Sequence, residues 1–193
     1  MIAAQLTRLK RIMNKEKVDG VLLAPPFPQD APIIAKQMAS LGIKVPVLLT
    51  DGADDQSVIE VGGPAVEGFI VSTHFAGDNP MTDNGNKFVA KYKEMFKAEP
   101  GAFESLGYDA VRTLAEAIAG IGQEKWDSMD LAAKRTAVRD AIQNTKFQTT
   151  TLPKFYPDPA KAPFPRVSVK PIVFKVFKGD ERVFHGSVMP EEL

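Results

Sequence analysis

The chain has 193 residues, of which 44% are hydrophobic and 25% charged, a globular composition with room for one or two domains. Lys plus Arg and Asp plus Glu both total 24, and this zero net charge gives no sign of the basic surface of a nucleic-acid-binding protein. The absence of cysteine excludes disulfides and thiolate metal sites. No apolar run approaches the roughly 20 residues that a membrane-spanning helix needs.

The first part of the chain alternates predicted helices and strands. An amphipathic helix is predicted over residues 3–16, with Leu6, Leu9, Ile12 and Met13 as its apolar stripe. Two continuous apolar runs, at 20–24 and 45–49, predict parallel strands covered on both faces, because neither run alternates. The helix predicted between them ends at Gly42.

A short helix at 56–61 and a third strand at 67–73 follow. The next residues, 74–80, are rich in turn formers and are the best candidate for a hinge.

Three longer helices are predicted next, over 83–97, 102–120 and 128–144, with Ser128 as the N-cap of the last. The second of these helices presents the apolar residues Leu106, Val111, Leu114 and Ile118 and an alanine-rich face suited to close packing. The predicted buried stripe of the third is Leu131, Val138, Ala141 and Ile142. A proline-rich connection then leads to a predicted β-hairpin, with strands at 170–176 and 182–184.

Sequence signatures of common enzymes are missing from the chain. It contains no phosphate-binding loop, no dinucleotide fingerprint and no serine nucleophile elbow. The two histidines, His74 and His185, are far apart and neither belongs to a metal-binding motif. We therefore predict no catalytic residue, no metal site and no cofactor.

A candidate ligand site is predicted where the first two strands end. Phe27 follows the first strand and Thr50-Asp51-Gly52 ends the second, and ligands of open α/β sheets bind beyond the carboxyl ends of parallel strands. Asp51 fits two roles: a carboxylate that pairs with a cationic ligand group, or a turn former in a favourable Asp-Gly pair. Phe27, and Phe103 at the start of a later helix, could line a pocket or pack in the core.

The order of several segments resembles one family. These segments are the strand ending in Pro-Pro-Phe, then Ala-Pro-Ile-Ile-Ala-Lys-Gln-Met-Ala-Ser-Leu-Gly, Lys-Val-Pro-Val-Leu-Leu-Thr-Asp-Gly, Ala-Val-Glu-Gly-Phe-Ile-Val-Ser-Thr-His-Phe, Phe-Val-Ala-Lys-Tyr-Lys-Glu-Met-Phe-Lys-Ala-Glu-Pro and Leu-Gly-Tyr-Asp-Ala-Val. Together they look like the C-terminal part of a periplasmic solute-binding protein of branched-chain amino acid ABC transporters. The resemblance covers residues 3–185.

The resemblance implies an α/β fold with Rossmann-like parallel sheets flanked by helices, in a two-lobed hinged clamp whose N-terminal half is missing here. It implies that residues 1–73 are part of the C-terminal lobe and that 76–150 are helices of the N-terminal lobe. Residues 151–193 would form the proline-rich crossover and the returning β-hairpin. The incomplete sheets would leave edges that favour self-association or swapping.

The resemblance also implies roles for site residues. Asp51 stands where an acidic residue holds the ligand ammonium, and Phe27 stands where an aromatic lines the pocket, although a tyrosine is expected there in a strict aliphatic amino-acid binder. Phe103 stands where an apolar side chain contacts the ligand from the opposite lobe, and Thr50 and Gly52 are expected to share the site with Asp51. The groups that bind the ligand carboxylate would lie in the missing half.

The implied function is that of the substrate-binding component of an ABC uptake system for amino acids or related small carboxylates or amides. It would bind its ligand in the interlobe cleft and deliver it to a membrane permease. The expected location is the periplasm, although the first residues, which are interrupted by charges, do not form a secretory signal. Alternatives are a ligand-sensing module of the same fold, an α/β enzyme with an unrecognised site, and a fragment that binds no ligand alone.

Overall fold

The computed structural model describes residues 2–25, 27–144, 149–151 and 170–189, in two compact units. The first unit contains the described residues up to Asp78 together with Ile172–Val188, and the second contains those from Asn79 to Pro171 together with Met189. Most of the predicted proline-rich connection lies outside the described residues. In the described part of the chain, no helix is both long and apolar enough to cross a membrane.

Seven helices and five strands make up the described regular structure. The helices are α1 Ile2–Met13, α2 Asp30–Ser40, α3 Gln56–Gly62, α4 Asp83–Phe96, α5 Ala102–Ile121, α6 Gln123–Ser128 and α7 Leu131–Asn144. The strands are β1 Val21–Leu23, β2 Val47–Leu49, β3 Ile70–Thr73, β4 Ile172–Lys178 and β5 Glu181–Val188. Short 3-10 turns occur at Asp51–Ala53 and Gly63–Val66.

The first unit is built on one mixed sheet with the strand order β1-β2-β3-β4-β5. The pairs β1–β2 and β2–β3 are parallel, as the apolar runs predicted, whereas β4 pairs antiparallel with both β3 and β5. The β4–β5 hairpin turns at Gly179, whose positive φ of 62° suits glycine. The α/β prediction is confirmed, with a hairpin added to the parallel strands.

Helices α1 to α3 cover one face of this sheet. The buried core residues are Leu6, Ala31, Ala35, Met38, Ile43, Val47, Leu49, Ala53, Val58, Ile59, Val66, Val71 and Phe177. Burial alternates along β3 and along most of β4, so the opposite face is less covered within the described residues. The expectation that both faces of the first strand are covered is wrong, because Leu22 in the edge strand β1 is 65% exposed.

The second unit, as described, is helical. Its long helix α5 buries Ala102, Ser105, Asp109 and Ala117. Ala102 and Ala117 are buried, as the predicted alanine-rich packing face implies, whereas the apolar residues Val111, Leu114 and Ile118 are exposed.

The helix predicted over 128–144 is α7, but it starts at Leu131, and Ser128 is the last residue of the separate helix α6. Ser128 ends α6, where its hydroxyl donates to the carbonyl of Lys125, and Asp130 accepts the amide of Ala133 at the start of α7. A carboxylate that accepts an amide three residues on is an N-cap, so Asp130 and not Ser128 begins the long helix. Leu131, predicted to be buried on α7, is 64% exposed.

Candidate functional site

The residues after β2 form a tight turn that presents Asp51. The amide of Thr50 donates to the carbonyl of Leu23, which extends the β1–β2 pairing by one bond. The amide of Ala53 then donates to the carbonyl of Thr50, and the amide of Asp54 to that of Asp51, both at 2.9 Å. Successive bonds of this kind define the 3-10 turn and fix the backbone on either side of Gly52.

Asp51 itself is exposed, and its Oδ1 accepts the amide of Gly52 at 3.1 Å. This hydrogen bond is the local contact expected of a turn former. The exposed carboxylate is also within reach of a solute. The geometry therefore suits both roles that the sequence leaves open for Asp51.

Phe27 lies beyond the end of the neighbouring strand and is 59% exposed. Its carbonyl accepts the amide of Asp30 at 3.1 Å, so Phe27 leads directly into α2. Because β1 and β2 are parallel and pair Leu23 with Leu49, the segments with Phe27 and Asp51 leave the sheet at the same edge. The first unit thus brings an aromatic ring and a carboxylate to one sheet edge.

Phe103 belongs to the second unit. It is the second residue of α5 and is 56% exposed, so packing in a core is not its role within the described residues. Glu104 closes the start of this helix, because its carboxylate accepts the amide of Gly101 at 3.0 Å.

Sequence reasoning missed a buried charge cluster next to the Asp51 turn. We call it the Asp54 cluster: Asp54, Thr73, Lys175 and Arg182. The Asp54 side chain is fully buried; it accepts the Thr73 hydroxyl at 2.7 Å and Lys175 Nζ at 2.9 Å and 3.2 Å. One Nη of Arg182 donates to Asp54 Oδ1 at 2.8 Å and to the Asp54 carbonyl at 2.7 Å.

Burial lowers the pKa of Lys175, while the Asp54 carboxylate acts in the opposite direction. Asp78 also opposes the shift, and its carboxylate accepts the Phe184 amide of β5 at 2.8 Å. Two cations thus face two carboxylates, which is how buried charges are tolerated. A sequence signal existed: the alternation of β4 places Lys175 in the same inward register as Val173 and Phe177.

The second unit has its own buried polar cluster, the Asp109 cluster: Thr82, Ser105, Asp109 and Thr150. The Asp109 carboxylate accepts the Thr150 amide at 3.0 Å and 3.1 Å and the Thr150 hydroxyl at 2.6 Å. Ser105 and Thr150 share a further hydroxyl contact at 2.7 Å. The hydroxyl of Thr82 lies 3.0 Å from the Thr150 carbonyl. Asp109 thus joins α5 to the chain that follows α7, as expected of a structural and non-reacting carboxylate.

The described residues contain no group of three or more histidine, aspartate or glutamate side chains placed to hold a metal ion. In the first unit, an exposed aromatic ring and an exposed turn carboxylate lie at one sheet edge, and the buried Asp54 cluster follows that turn.

Comparison with known proteins identifies relatives of the chain. A family described as periplasmic binding protein matches residues 4–162. The Leu/Ile/Val-binding protein homolog 1 of Brucella suis biovar 1 is 31% identical over 93 residues, which are 48% of this chain and 24% of the relative.

Solved structures extend the likeness to the whole chain. A leucine-binding protein from Thermotoga maritima is 28% identical with a TM-score of 0.84, and the match covers 100% of this chain and 50% of that one. A branched-chain amino acid binding protein from Streptococcus pneumoniae, solved with isoleucine, is 18% identical with a TM-score of 0.72. The match covers 97% of this chain and 48% of that one, and at this identity it shows only that the two folds are alike. The chain therefore spans about half the length of these solved relatives.

Proposed function

This chain belongs to the periplasmic binding protein family, of the branched-chain amino acid type, and we propose that it is part of a receptor that binds an amino acid for an ABC permease. The family is one of binding proteins and not of enzymes. The observation that carries the proposal is the exposed Asp51 carboxylate at the same sheet edge as the exposed Phe27 ring.

In this proposal Asp51 pairs with the ligand ammonium. A charge-assisted hydrogen bond between an ammonium and a carboxylate is about twice as strong as a neutral one. The turn at Asp51–Ala53 fixes the backbone around this carboxylate, so little further order is lost when a ligand binds. Thr50 and Gly52 flank Asp51 and complete the polar side of the site.

Phe27 supplies apolar contact in the same proposal, because a ring that is 59% exposed retains apolar surface that a ligand can cover. The ligand contact that the resemblance implies for Phe103 stays a prediction. L-Leucine and L-isoleucine are the first ligands to test, because solved relatives are described as a leucine-binding protein and as a complex with isoleucine.

The proposed location is the periplasm, and the proposed partner is the permease of an ABC transporter. Self-association through the edge strand β1 is a further proposal.

The direct test is calorimetry of the 193-residue chain with L-leucine and with 4-methylpentanoate, which is leucine without its ammonium group. An ion pair with Asp51 predicts that leucine binds at least about 10-fold more tightly than 4-methylpentanoate, because a hydrogen bond to a charged group contributes about 1.5–3 kcal/mol. In Asp51→Ala this preference should disappear. An unchanged preference in Asp51→Ala would remove Asp51 from the site.

The apolar contact is tested with a matched pair of variants. Phe27→Ala should weaken leucine binding, whereas Phe96→Ala should not, although both phenylalanines are 59% exposed. Equal effects of the two substitutions would mean that Phe27 does not contact the ligand. No binding of leucine or isoleucine by the unmodified chain would refute the proposed receptor function for this chain alone.

A further inference from the structure

The Asp54 cluster begins one residue after the turn that carries Asp51, and we propose that Lys175 and Arg182 are positioning residues for ligand binding. Through Asp54 they hold the Asp51 turn in the orientation that the ligand ammonium requires. The proposal rests on the proposed function, since it assigns the residues that orient its central carboxylate.

The connection consists of short, direct bonds. Lys175 Nζ and an Arg182 Nη donate to the Asp54 carboxylate at 2.9 Å and 2.8 Å. The Asp54 amide donates to the Asp51 carbonyl at 2.9 Å. One residue therefore receives the two cations on its side chain and closes the turn with its backbone.

A second contact strengthens this attachment. Arg182 also donates to the main-chain carbonyl of Asp54 at 2.7 Å. The side chain and the backbone of Asp54 are thus held by the same guanidinium, which fixes the direction in which the chain leaves the turn. Arginine is suited to this role because its rigid planar group donates several hydrogen bonds in fixed directions.

The burial of Asp54 makes the turn depend on its cations. Its side chain is fully buried, and an ionised carboxylate in that position is stable only while it is paired and hydrogen-bonded. If the charge of Lys175 is removed, the Asp54 carboxylate lowers its free energy by moving toward water. Since Asp54 ends the turn, this movement carries the Asp51 backbone with it.

The partners come from distant parts of the chain. Lys175 and Arg182 lie 121 and 128 residues after Asp54, on β4 and β5, and Thr73 donates from the end of β3. The turn after β2 is therefore held against three other strands of the sheet. Asp78 adds a second carboxylate beside Lys175, which keeps the surroundings of the lysine balanced in charge.

The main variant is Lys175→Met, which removes the charge but keeps an apolar side chain of similar length. Its matched control is Lys178→Met, the same substitution at the exposed end of the same strand. We expect Lys175→Met to bind L-leucine at least about 10-fold more weakly and Lys178→Met to bind it as the parent does. Arg182→Gln should also weaken binding, whereas Arg182→Lys should restore part of the affinity.

A second measurement follows the turn without any ligand. Amide hydrogen exchange at Ala53 and Asp54 reports the two backbone bonds that close the turn. We expect exchange at these amides to accelerate at least about 10-fold in Lys175→Met while amides of α2 stay protected. A purely structural role would instead accelerate exchange throughout the first unit and leave the leucine affinity of the folded molecules unchanged.

The two measurements separate the two proposals. If the unmodified chain binds no leucine, the proposed function fails, and the exchange rates still decide whether the cations hold the turn. If exchange at Ala53 and Asp54 is unchanged in Lys175→Met, the positioning proposal is overturned whatever the affinity. If Lys175→Met does not fold, the same measurements are made on Asp54→Asn/Lys175→Met, which leaves no uncompensated buried carboxylate.

Discussion

Replacing Gly85 by alanine tests how firmly the Asp109 cluster fixes the start of α4. A Cβ at this position would lie 2.5 Å from the Thr150 carbonyl oxygen and 3.2 Å from the Thr82 hydroxyl. Ordinary contacts are about 1 Å longer than the first of these distances, so a backbone atom must move. The atoms that would move carry the hydrogen bonds of the cluster, because the Thr82 hydroxyl also accepts the Gly85 amide at 2.9 Å.

The magnitude follows from opposing terms. Overpacking costs about 1–3 kcal/mol, and weakening one buried hydrogen bond adds about 1 kcal/mol. The higher helix propensity of alanine stabilises the folded state by up to about 1 kcal/mol and offsets part of this loss. We therefore expect Gly85→Ala to lower the free energy of unfolding by about 2 kcal/mol. This corresponds to a decrease in Tm of about 4–8 °C for a chain of this size.

The matched control is Gly107→Ala in the middle of α5, where an added Cβ meets no atom within 4 Å. There only the propensity term acts, so this variant should be more stable than the parent by about 0.5–1 kcal/mol. The same substitution at two helical glycines of one unit thus has opposite expected signs.

The assay is urea unfolding followed by the fluorescence of Trp126, the single tryptophan of the chain, which lies in α6 of the second unit with Lys134 Nζ 5.1 Å from its ring centroid. A Gly85→Ala protein as stable as the parent would refute the reasoning. It would show that the Thr150 backbone can move away from the added Cβ without a loss of stability and does not constrain α4.

Two further predictions concern single carboxylates. Asp55→Ala should cost about 1 kcal/mol at neutral pH, because Asp55 caps α3 by accepting the Ser57 amide. The hydrogen bond from the Ser57 hydroxyl holds the pKa of Asp55 below its ordinary 3.8 in the folded protein. The difference in unfolding free energy between the parent and Asp55→Ala is therefore full above pH 3.8 and is lost as the pH falls through the lower folded-state pKa. Urea titrations in which this difference does not decline at low pH would contradict the prediction. Asp109→Asn should lower the free energy of unfolding by about 2 kcal/mol, because three hydrogen bonds from Thr150 lose their charged acceptor. The measurement is urea unfolding followed by tryptophan fluorescence, with the exposed Asp140→Asn as the control. A loss of stability no larger than that of the control would contradict the prediction.

Local patterns in the sequence were sufficient to predict most of the elements. The apolar runs that precede Phe27 and Thr50 are strands because each is short and ends in turn-forming residues. Gly42 ends α2 with a φ of +67°, a conformation that favours glycine. The two candidate residues Phe27 and Asp51 could be found for the same reason, because their position depends only on where neighbouring parallel strands end.

Periodicity could not predict which side of a helix is covered. Large apolar residues of α5 such as Val111 and Leu114 are exposed, whereas burial falls on small and polar residues such as Ala102 and Ser105. The buried hydroxyl of Ser105 shares a hydrogen bond with Thr150, which is 45 residues away. Hydrophobic spacing carries no information about a partner of this kind.

The Asp54 cluster was missed for a related reason. Asp54 stands in a run of turn formers, where a capping role is the local expectation, and Asp55 does perform that role for α3. The partners of Asp54 lie more than a hundred residues later. Only the inward register of Lys175 on an alternating strand indicated that a buried carboxylate had to exist elsewhere.

The position of the hairpin in the sheet also determines when the first unit can be completed. Thr73 on β3 pairs with Val173 on β4, about a hundred residues later, and closing a loop of that length costs about 4 kcal/mol. At roughly 5–20 residues per second, the ribosome adds the hairpin about 5–20 s after β3. During that interval Asp54 has neither of its cations and β3 has an open edge. The hairpin strands therefore neutralise a carboxylate that was synthesised more than a hundred residues earlier.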